Sequence, residues 1–261
     1  MEMENAFTWE WFIKQFELLS KIDLTAYKRP QMERRINSFM RSVSCSNYKE
    51  FLTLIQSDKN IYRKFIEHLT INVSEFFRNP DHWQVMEKEV IPVLLRQNNQ
   101  LKIWSAGCST GEEAYSLAML SKEVFPGKVE KIVASDLDQE VLDRAVIGLY
   151  SSKAAQTLPA NYLNKYMKQE GDYYRVSDDI KKMVKFERQD LLKDPFARNY
   201  DLILCRNVVI YFTEETKQKL YRKFIEALRP GGVLFIGSTE QIFQAKEIGF
   251  QSLATFFYQK I

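Results

Sequence analysis

Two glycines and three acids stand at spacings that suit a nucleoside-bearing ligand. In Trp104-Ser105-Ala106-Gly107-Cys108-Ser109-Thr110-Gly111-Glu112-Glu113, the glycines separate an apolar run from a helical pattern. Glycines there let the backbone turn tightly and approach a ligand, and the following helix offers unpaired N–H groups. No Lys-Ser/Thr follows Gly111, so this is not a phosphate loop, and it falls short of the dinucleotide fingerprint. Further on, Ala134-Ser135-Asp136-Leu137-Asp138 closes a second apolar run with an acid. Its distance from Gly111 is close to the ~20 residues expected of a carboxylate that holds a ribose diol. Asp138 can cap the next helix, which leaves Asp136 to bind. Loop and acid together point to an adenosine cofactor and leave a methyltransferase and a dehydrogenase both open. Glu112 and Glu113 fall in the first turn of their helix, where the dipole favours acids. Two acids would repel a pyrophosphate, whereas one could meet the cationic amino group of a methionine, which favours S-adenosylmethionine.

These residues need strands and helices to hold them. Residues 1–96 read as helical: Phe7, Trp11, Phe12, Phe16 and Leu19 recur near helical spacing, Pro30 suits a first helical position, and Asn79-Pro80-Asp81 opens a helix running to about Arg96. From Leu101 the pattern alternates, with strands at 101–106, 129–135, 200–205 and 233–237 and helices at 112–124, 139–147 and 213–228. Such alternation predicts a parallel sheet covered by helices. The run 253–258 predicts one final strand. Residues 149–188 break the rhythm: two short runs flank Glu170-Gly171-Asp172, as in a hairpin inserted into the α/β domain.

Composition narrows the class. The chain has 261 residues, 45% hydrophobic, enough for one large domain or two smaller ones. Cys45, Cys108 and Cys205 are odd in number and far apart, as free thiols in a reducing cytosol would be, and His68 and His82 lack ligand spacing to them, so no metal is expected. No apolar run is long enough to span a membrane, and the start at 1–5 is acidic where a secretory signal would be basic. A cytoplasmic, monomeric protein is expected. The net charge of +3 makes no general demand for nucleic acid.

Three stretches carry a family resemblance: Thr70-Ile71-Asn72-Val73-Ser74-Glu75-Phe76-Phe77-Arg78, residues 104–116, and Cys205-Arg206-Asn207-Val208-Val209-Ile210-Tyr211-Phe212. With Ala134–Asp138 they resemble the chemotaxis receptor methyltransferase (CheR) family over nearly the whole chain. The resemblance implies a class I S-adenosylmethionine-dependent methyltransferase fold. That is an α/β, Rossmann-like, seven-stranded doubly wound sheet with an all-α N-terminal domain and a small inserted antiparallel β subdomain. The expected divisions are 1–78, 79–261 and 149–188. It also implies that Asn72, Ser74, Arg78, Glu113, Asp136, Asp190, Leu191, Asn207 and Val208 line the cofactor site. Relatives often carry Thr in place of Ser74, which keeps a hydroxyl, and Asn in place of Asp190, which keeps an acceptor. Leu191 is expected to offer backbone only.

The implied reaction esterifies glutamate side chains of chemotaxis receptors, giving S-adenosylhomocysteine. An unperturbed glutamate, with a pKa of about 4.3, is already ionised at neutral pH, so direct displacement needs alignment more than a base. Arg78 and Tyr211 are the candidates for that alignment. On the helix opened by Pro30, Met32, Ile36, Phe39 and Val43 share one face, with Arg34 and Arg41 opposite and Lys28 and Arg35 flanking. Arg34, Arg35 and Arg41 form a candidate dock for acidic receptor helices. The inserted hairpin has a short turn, so capture of a receptor tail peptide is not expected. The alternatives weighed are a nucleic-acid methyltransferase and a non-catalytic cofactor-binding regulator. Against the first, Arg206-Asn207-Val208-Val209 stands where base methylases carry a Pro-Pro-aromatic run.

Overall fold

The computed structural model describes residues 7–70 and 72–261; the acidic start at 1–5 and Ile71 of the first family stretch lie outside them. Contacts divide the chain into two compact units. One holds the described residues up to Asn72 together with Tyr211–Lys217, and the other holds Val73–Ile210 and Gln218–Ile261.

The first unit is helical: α1 (Trp9–Ser20), α2 (Arg29–Ser42), α3 (Tyr48–Ser57) and α4 (Lys59–Thr70). Thr8 caps α1 by accepting from Trp11 N, and Asn47 caps α3 by accepting from Glu50 N. α2 carries Pro30 in its first turn, where a missing N–H costs nothing. The core is aromatic. Phe12, Phe16, Phe51 and Phe65 are fully buried, with Phe51 and Phe65 edge to face at 4.8 Å. Each such ring contributes on the order of 1.5–3 kcal/mol by burial. The segment Tyr211–Lys217 is stitched onto this unit by a short antiparallel bridge. Lys28 N donates to Tyr211 O at 2.9 Å, Thr213 N donates to Ala26 O at 3.0 Å, and the Tyr27 and Phe212 rings meet at 4.9 Å.

The second unit opens with α5 (Pro80–Val85), which passes through a π turn at Met86–Val90 into α6 (Ile91–Gln97). Pro92 explains the widening: it has no N–H to give and its ring crowds the preceding turn. Then follow β1 (Leu101–Ala106), α7 (Glu112–Val124), β2 (Val129–Asp136) and α8 (Gln139–Ile147). The insert comprises β3 (Leu149–Ser151), α9 (Ser152–Ala155), α10 (Ala160–Tyr166), β4 (Met167–Glu170) and β5 (Tyr173–Val176). α11 (Asp178–Lys181), β6 (Val184–Arg188), β7 (Tyr200–Cys205), α12 (Glu214–Ala227), β8 (Leu228–Ile236), α13 (Ala245–Ile248), β9 (Phe250–Ala254) and β10 (Phe257–Lys260) complete the chain.

The main sheet has seven strands in the order β6-β2-β1-β7-β8-β10-β9, and β3-β5-β4 form a separate antiparallel sheet. β6, β2, β1, β7 and β8 run parallel, and β10 is antiparallel to both its neighbours. The chain winds outward from β1 to β2 and β6, then returns to β7 on β1's other side, so the strand order reverses between β1 and β7. Ligands bind beyond the carboxyl ends of the strands at such a switch point. β7 is buried at all six residues, as befits a central parallel strand: Leu202–Cys205 is apolar, and the buried Asp201 is paired with Arg229.

Two expectations are corrected. The last run is two strands and not one: Phe256, at φ +68°, reverses the chain between β9 and β10 without the Gly, Asn or Pro that would signal a turn. The insert expected at 149–188 gives up its last strand, because Val184–Arg188 pairs with β2 in the main sheet. The small sheet uses only Leu149–Ser151, Met167–Glu170 and Tyr173–Val176, with Gly171 at φ +61° in the tight turn.

Candidate cofactor site at the strand ends

The loop after β1 is built from residues able to hold a positive φ. Gly107 (+77°) and Gly111 (+93°) take the left-handed region, and Ser109 (+49°) joins them. Gly107 is needed for a second reason: a Cβ there would lie 2.5 Å from Val208 Cγ2. The loop after β1 and the turn after β7 therefore touch, and the touch requires a glycine. At Gly111 an added Cβ would meet Ala145 of α8 at 2.9 Å and the Phe186 ring at 3.1 Å, so that glycine lets α7 start close against the sheet.

Asp136 closes β2 and is buried. Its Oδ2 accepts from Ser109 N at 2.8 Å and its Oδ1 accepts from Asp138 N at 3.1 Å. Each oxygen keeps lone-pair capacity for a further donor, such as a sugar hydroxyl. Burial holds its pKa above the ordinary aspartate value, against the backbone amides of Asp138 and Ser109, which favour the charge. Asp138 caps α8 by accepting from Glu140 N at 3.0 Å, as its spacing suggests. Beside them the Ser109 hydroxyl is buried with no hydrogen-bond partner among the described residues.

Glu112 and Glu113 part company. Glu112 is buried, accepts from the Thr110 hydroxyl at 2.7 Å, and has its pKa pushed up by burial against the hydroxyls of Thr110 and Ser74. Glu113 accepts from Ser105 Oγ at 2.8 Å and from Arg206 Nη1 at 3.2 Å. Arg206 was not singled out from sequence, yet it organises this corner. Its side chain is 2% exposed. Nη2 donates to Arg78 O at 2.9 Å and to Asn79 Oδ1 at 3.0 Å, and the guanidinium lies 4.5 Å over the Phe235 ring. One buried fork thus ties Glu113 at the start of α7 to the backbone of Arg78. The position right after β7 was the only sequence signal for it.

Asn207 has φ +59°, a left-handed conformation that Asn tolerates better than most residues. Asp190 and Leu191 follow β6: Asp190 Oδ1 accepts from Leu192 N at 2.9 Å, and Leu191, buried by its side chain, offers its carbonyl to Lys223 Nζ at 2.7 Å. Phe76 and Phe77 pack as core, their rings against Tyr150 and Trp83. Asn72 and Tyr211 belong to the helical unit, where Asn72 Nδ2 donates to Thr70 Oγ1 at 2.9 Å.

In the same unit Arg34 and Arg41 are exposed on α2, and Arg35 is partly buried. The Arg35 guanidinium donates to His68 O, while His68 Nε2 lies 3.2 Å from Arg35 O. Partial burial lowers its pKa. Position 35 borders the apolar stripe at Ile36, and its side chain joins α2 to the end of α4.

The residue set fits S-adenosylmethionine. A buried acid stands at the end of β2, glycines allow close approach, a buried hydroxyl lacks a partner, and three acids suit a ligand with two cationic centres. Among the described residues no group of three or more His, Cys, Asp or Glu could hold a metal, and no helix is long and apolar enough to cross a membrane. The sheet order and this site are those of an S-adenosylmethionine-dependent methyltransferase. The family model described as "CheR methyltransferase, SAM binding domain" matches residues 72–256, and "CheR methyltransferase, all-alpha domain" matches residues 8–70. A chemotaxis protein methyltransferase of Listeria innocua is 44% identical over 240 residues, covering 92% of each chain. That of Borreliella burgdorferi is 34% identical over 90% of this chain and 88% of its own. That of Escherichia coli is 33% identical over 84% of this chain and 79% of its own. The chain belongs to the CheR methyltransferase family, and S-adenosylmethionine is its cofactor.

Proposed function

We propose that this protein methylates glutamate side chains in the cytoplasmic helical region of chemotaxis receptors, forming methyl esters for adaptation in bacterial chemotaxis. The observation that carries this reading is the match to chemotaxis protein methyltransferases through both the all-α and the cofactor-binding regions. The protein is read as a cytoplasmic monomer with a helical N-terminal domain followed by a methyltransferase domain.

S-adenosylmethionine, when bound, supplies a methyl group activated by a sulfonium. Asp136 is assigned to the ribose hydroxyls and Glu113 to the cationic methionine end, its carboxylate oriented by Arg206 and Ser105. Ser74, Asp190, Leu191, Asn207 and Val208 are assigned to the rest of the ligand, with Asn72 carried by the family resemblance. Arg78 is assigned to the ligand carboxylate or the edge of the substrate, because an arginine on the attacking oxygen would quench its charge. Tyr211 is assigned to orienting the reacting groups. A glutamate nucleophile is already ionised at neutral pH, so the chain's contribution is alignment and exclusion of water, effects that can amount to roughly 7–11 kcal/mol of barrier. Arg34 and Arg41 are assigned to the acidic receptor surface.

The test is incubation with methyl-labelled cofactor and either receptor-containing membranes or nucleic acid. Label on receptor protein supports the reading, and label on nucleic acid with none on receptor overturns it. Tyr211→Phe should lower the single-turnover rate more than cofactor affinity; an unchanged rate removes Tyr211 from the assignment.

A further inference from the structure

The loop that follows β8, Gly237-Ser238-Thr239-Glu240, has no part in the assignments above, yet it holds a buried carboxylate against the turn after β7. Glu240 is 5% exposed. Its Oε2 accepts from Gly237 N at 2.5 Å while its own N–H donates to Gly237 O at 3.0 Å, so the loop closes on itself. Gly237 is also pressed against the neighbouring turn: a Cβ there would lie 2.7 Å from Asn207 N, 2.8 Å from Glu240 Oε2 and 3.1 Å from Asn207 Nδ2. Asn207 holds φ +59°, a conformation that persists only where its surroundings favour it.

We propose that Glu240 is a positioning residue for the cofactor, its carboxylate fixing the Asn207–Val208 turn in the shape that receives S-adenosylmethionine. The inference rests on the reading of that turn as part of the cofactor site. Glu240 Oε1 is buried with no hydrogen-bond partner among the described residues; burial pushes the carboxyl pKa up, and the nearby backbone amides of Gly237, Asn207, Ile210 and Val209 favour its charge. A buried carboxylate placed between two loops can act as a clamp: it is anchored by the Gly237 amide just past β8 and faces the turn after β7, whose Asn207 N lies against Gly237. Val208, the residue this clamp places, is the one that Gly107 must be a glycine to admit. The loop after β1, the turn after β7 and the loop after β8 are therefore set against one another in sequence, with Glu240 as the last link.

The experiment measures S-adenosylhomocysteine affinity by calorimetry and melting temperature for wild type, Glu240→Gln, Glu240→Asp, Asn207→Ala and Val233→Ala. Val233 is buried in β8 and serves as a core-weakening control. Glu240→Gln should weaken affinity about tenfold or more, since hydrogen bonds to a charged group are lost. The loss should fall on KM for S-adenosylmethionine and not on kcat at saturation. Glu240→Asp, which keeps the charge on a shorter arm, should recover part of it and keeps the test open if Glu240→Gln does not fold. Wild-type affinity in Glu240→Gln overturns the inference, as does an equal loss in a Val233→Ala variant with the same fall in melting temperature. Unchanged affinity in Asn207→Ala would instead refute the reading of the turn on which the inference rests.

Discussion

The Gly107 backbone lies close enough to Val208 to leave no room for a Cβ, and the contact can be tested by filling it. Gly107→Ala adds one methyl group at φ +77°, 2.5 Å from Val208 Cγ2 and 3.6 Å from Val208 Cβ. A left-handed conformation costs an alanine roughly 1–2 kcal/mol. Carbon atoms prefer about 3.5–4.0 Å, so Val208 or the loop must shift by about 1 Å, and overpacking of this kind costs roughly 1–3 kcal/mol. The single variant should therefore lose about 2–5 kcal/mol of stability. Val208→Ala removes Cγ2 and leaves the 3.6 Å contact to Cβ, which is ordinary van der Waals distance. Adding it to Gly107→Ala should recover the packing part and leave the backbone part. The assay is a double-mutant cycle by urea unfolding, with S-adenosylhomocysteine affinity measured alongside. A favourable coupling of about 1–3 kcal/mol is expected. Additive effects, with the double variant no better than the sum of the singles, would mean that the two loops do not press on each other here.

Three further outcomes follow from the same geometry. Asp136 has a raised pKa because it is buried. It takes up its proton at a higher pH than an exposed aspartate, and its contribution to apoprotein stability is present below about pH 3.9 and lost as pH rises through the folded value. Cofactor affinity, which needs the ionised acceptor, should fall as pH is lowered through the raised folded value and be weak and nearly flat in Asp136→Asn; parallel calorimetric profiles for the two proteins would contradict the assignment. Arg206→Met strips Glu113 of its cation and should cost about 3 kcal/mol of stability, the lower end for a broken buried pair because Glu113 is 15% exposed. Arg206→Lys should recover only part, since one ammonium cannot span Glu113, Arg78 O and Asn79, and full recovery would show that charge alone suffices. Reversing Arg34 and Arg41 to Glu should slow receptor methylation, most at low salt, and leave S-adenosylhomocysteine affinity intact; an unchanged rate at every ionic strength would remove α2 from docking.

Much of the fold was legible because it follows from local pattern. The parallel strands β1 and β7 are short, mostly apolar runs, and α7 and α8 announce themselves by a glycine before one and Asp138 before the other. What escaped the sequence depended on partners far along the chain. β6, with exposed Lys185 and partly exposed Glu187, has the look of an insert until β2 pairs with it. The reversal at Phe256 carries no turn residue, because surrounding strands impose its backbone. The site divides the same way. Asp136 could be read from its place after a strand, whereas the importance of Arg206 and Glu240 lies in which backbone groups they reach, which spacing does not encode. Arg35 is a further case: its contact with the His68 carbonyl at the end of α4 is not encoded in its helical position.

The central claim is that the transferred methyl group ends as a glutamyl ester, and the lability of the product tests it most directly. Receptor membranes labelled by wild-type protein and by Asp136→Ala would be brought to high pH and the volatile product collected. An ester releases its label as methanol under mild alkali, whereas methyl groups on nitrogen or carbon stay in place. The account predicts alkali-labile label on the receptor, released as methanol, and little label with Asp136→Ala. Label that remains on the receptor after alkaline treatment would contradict it.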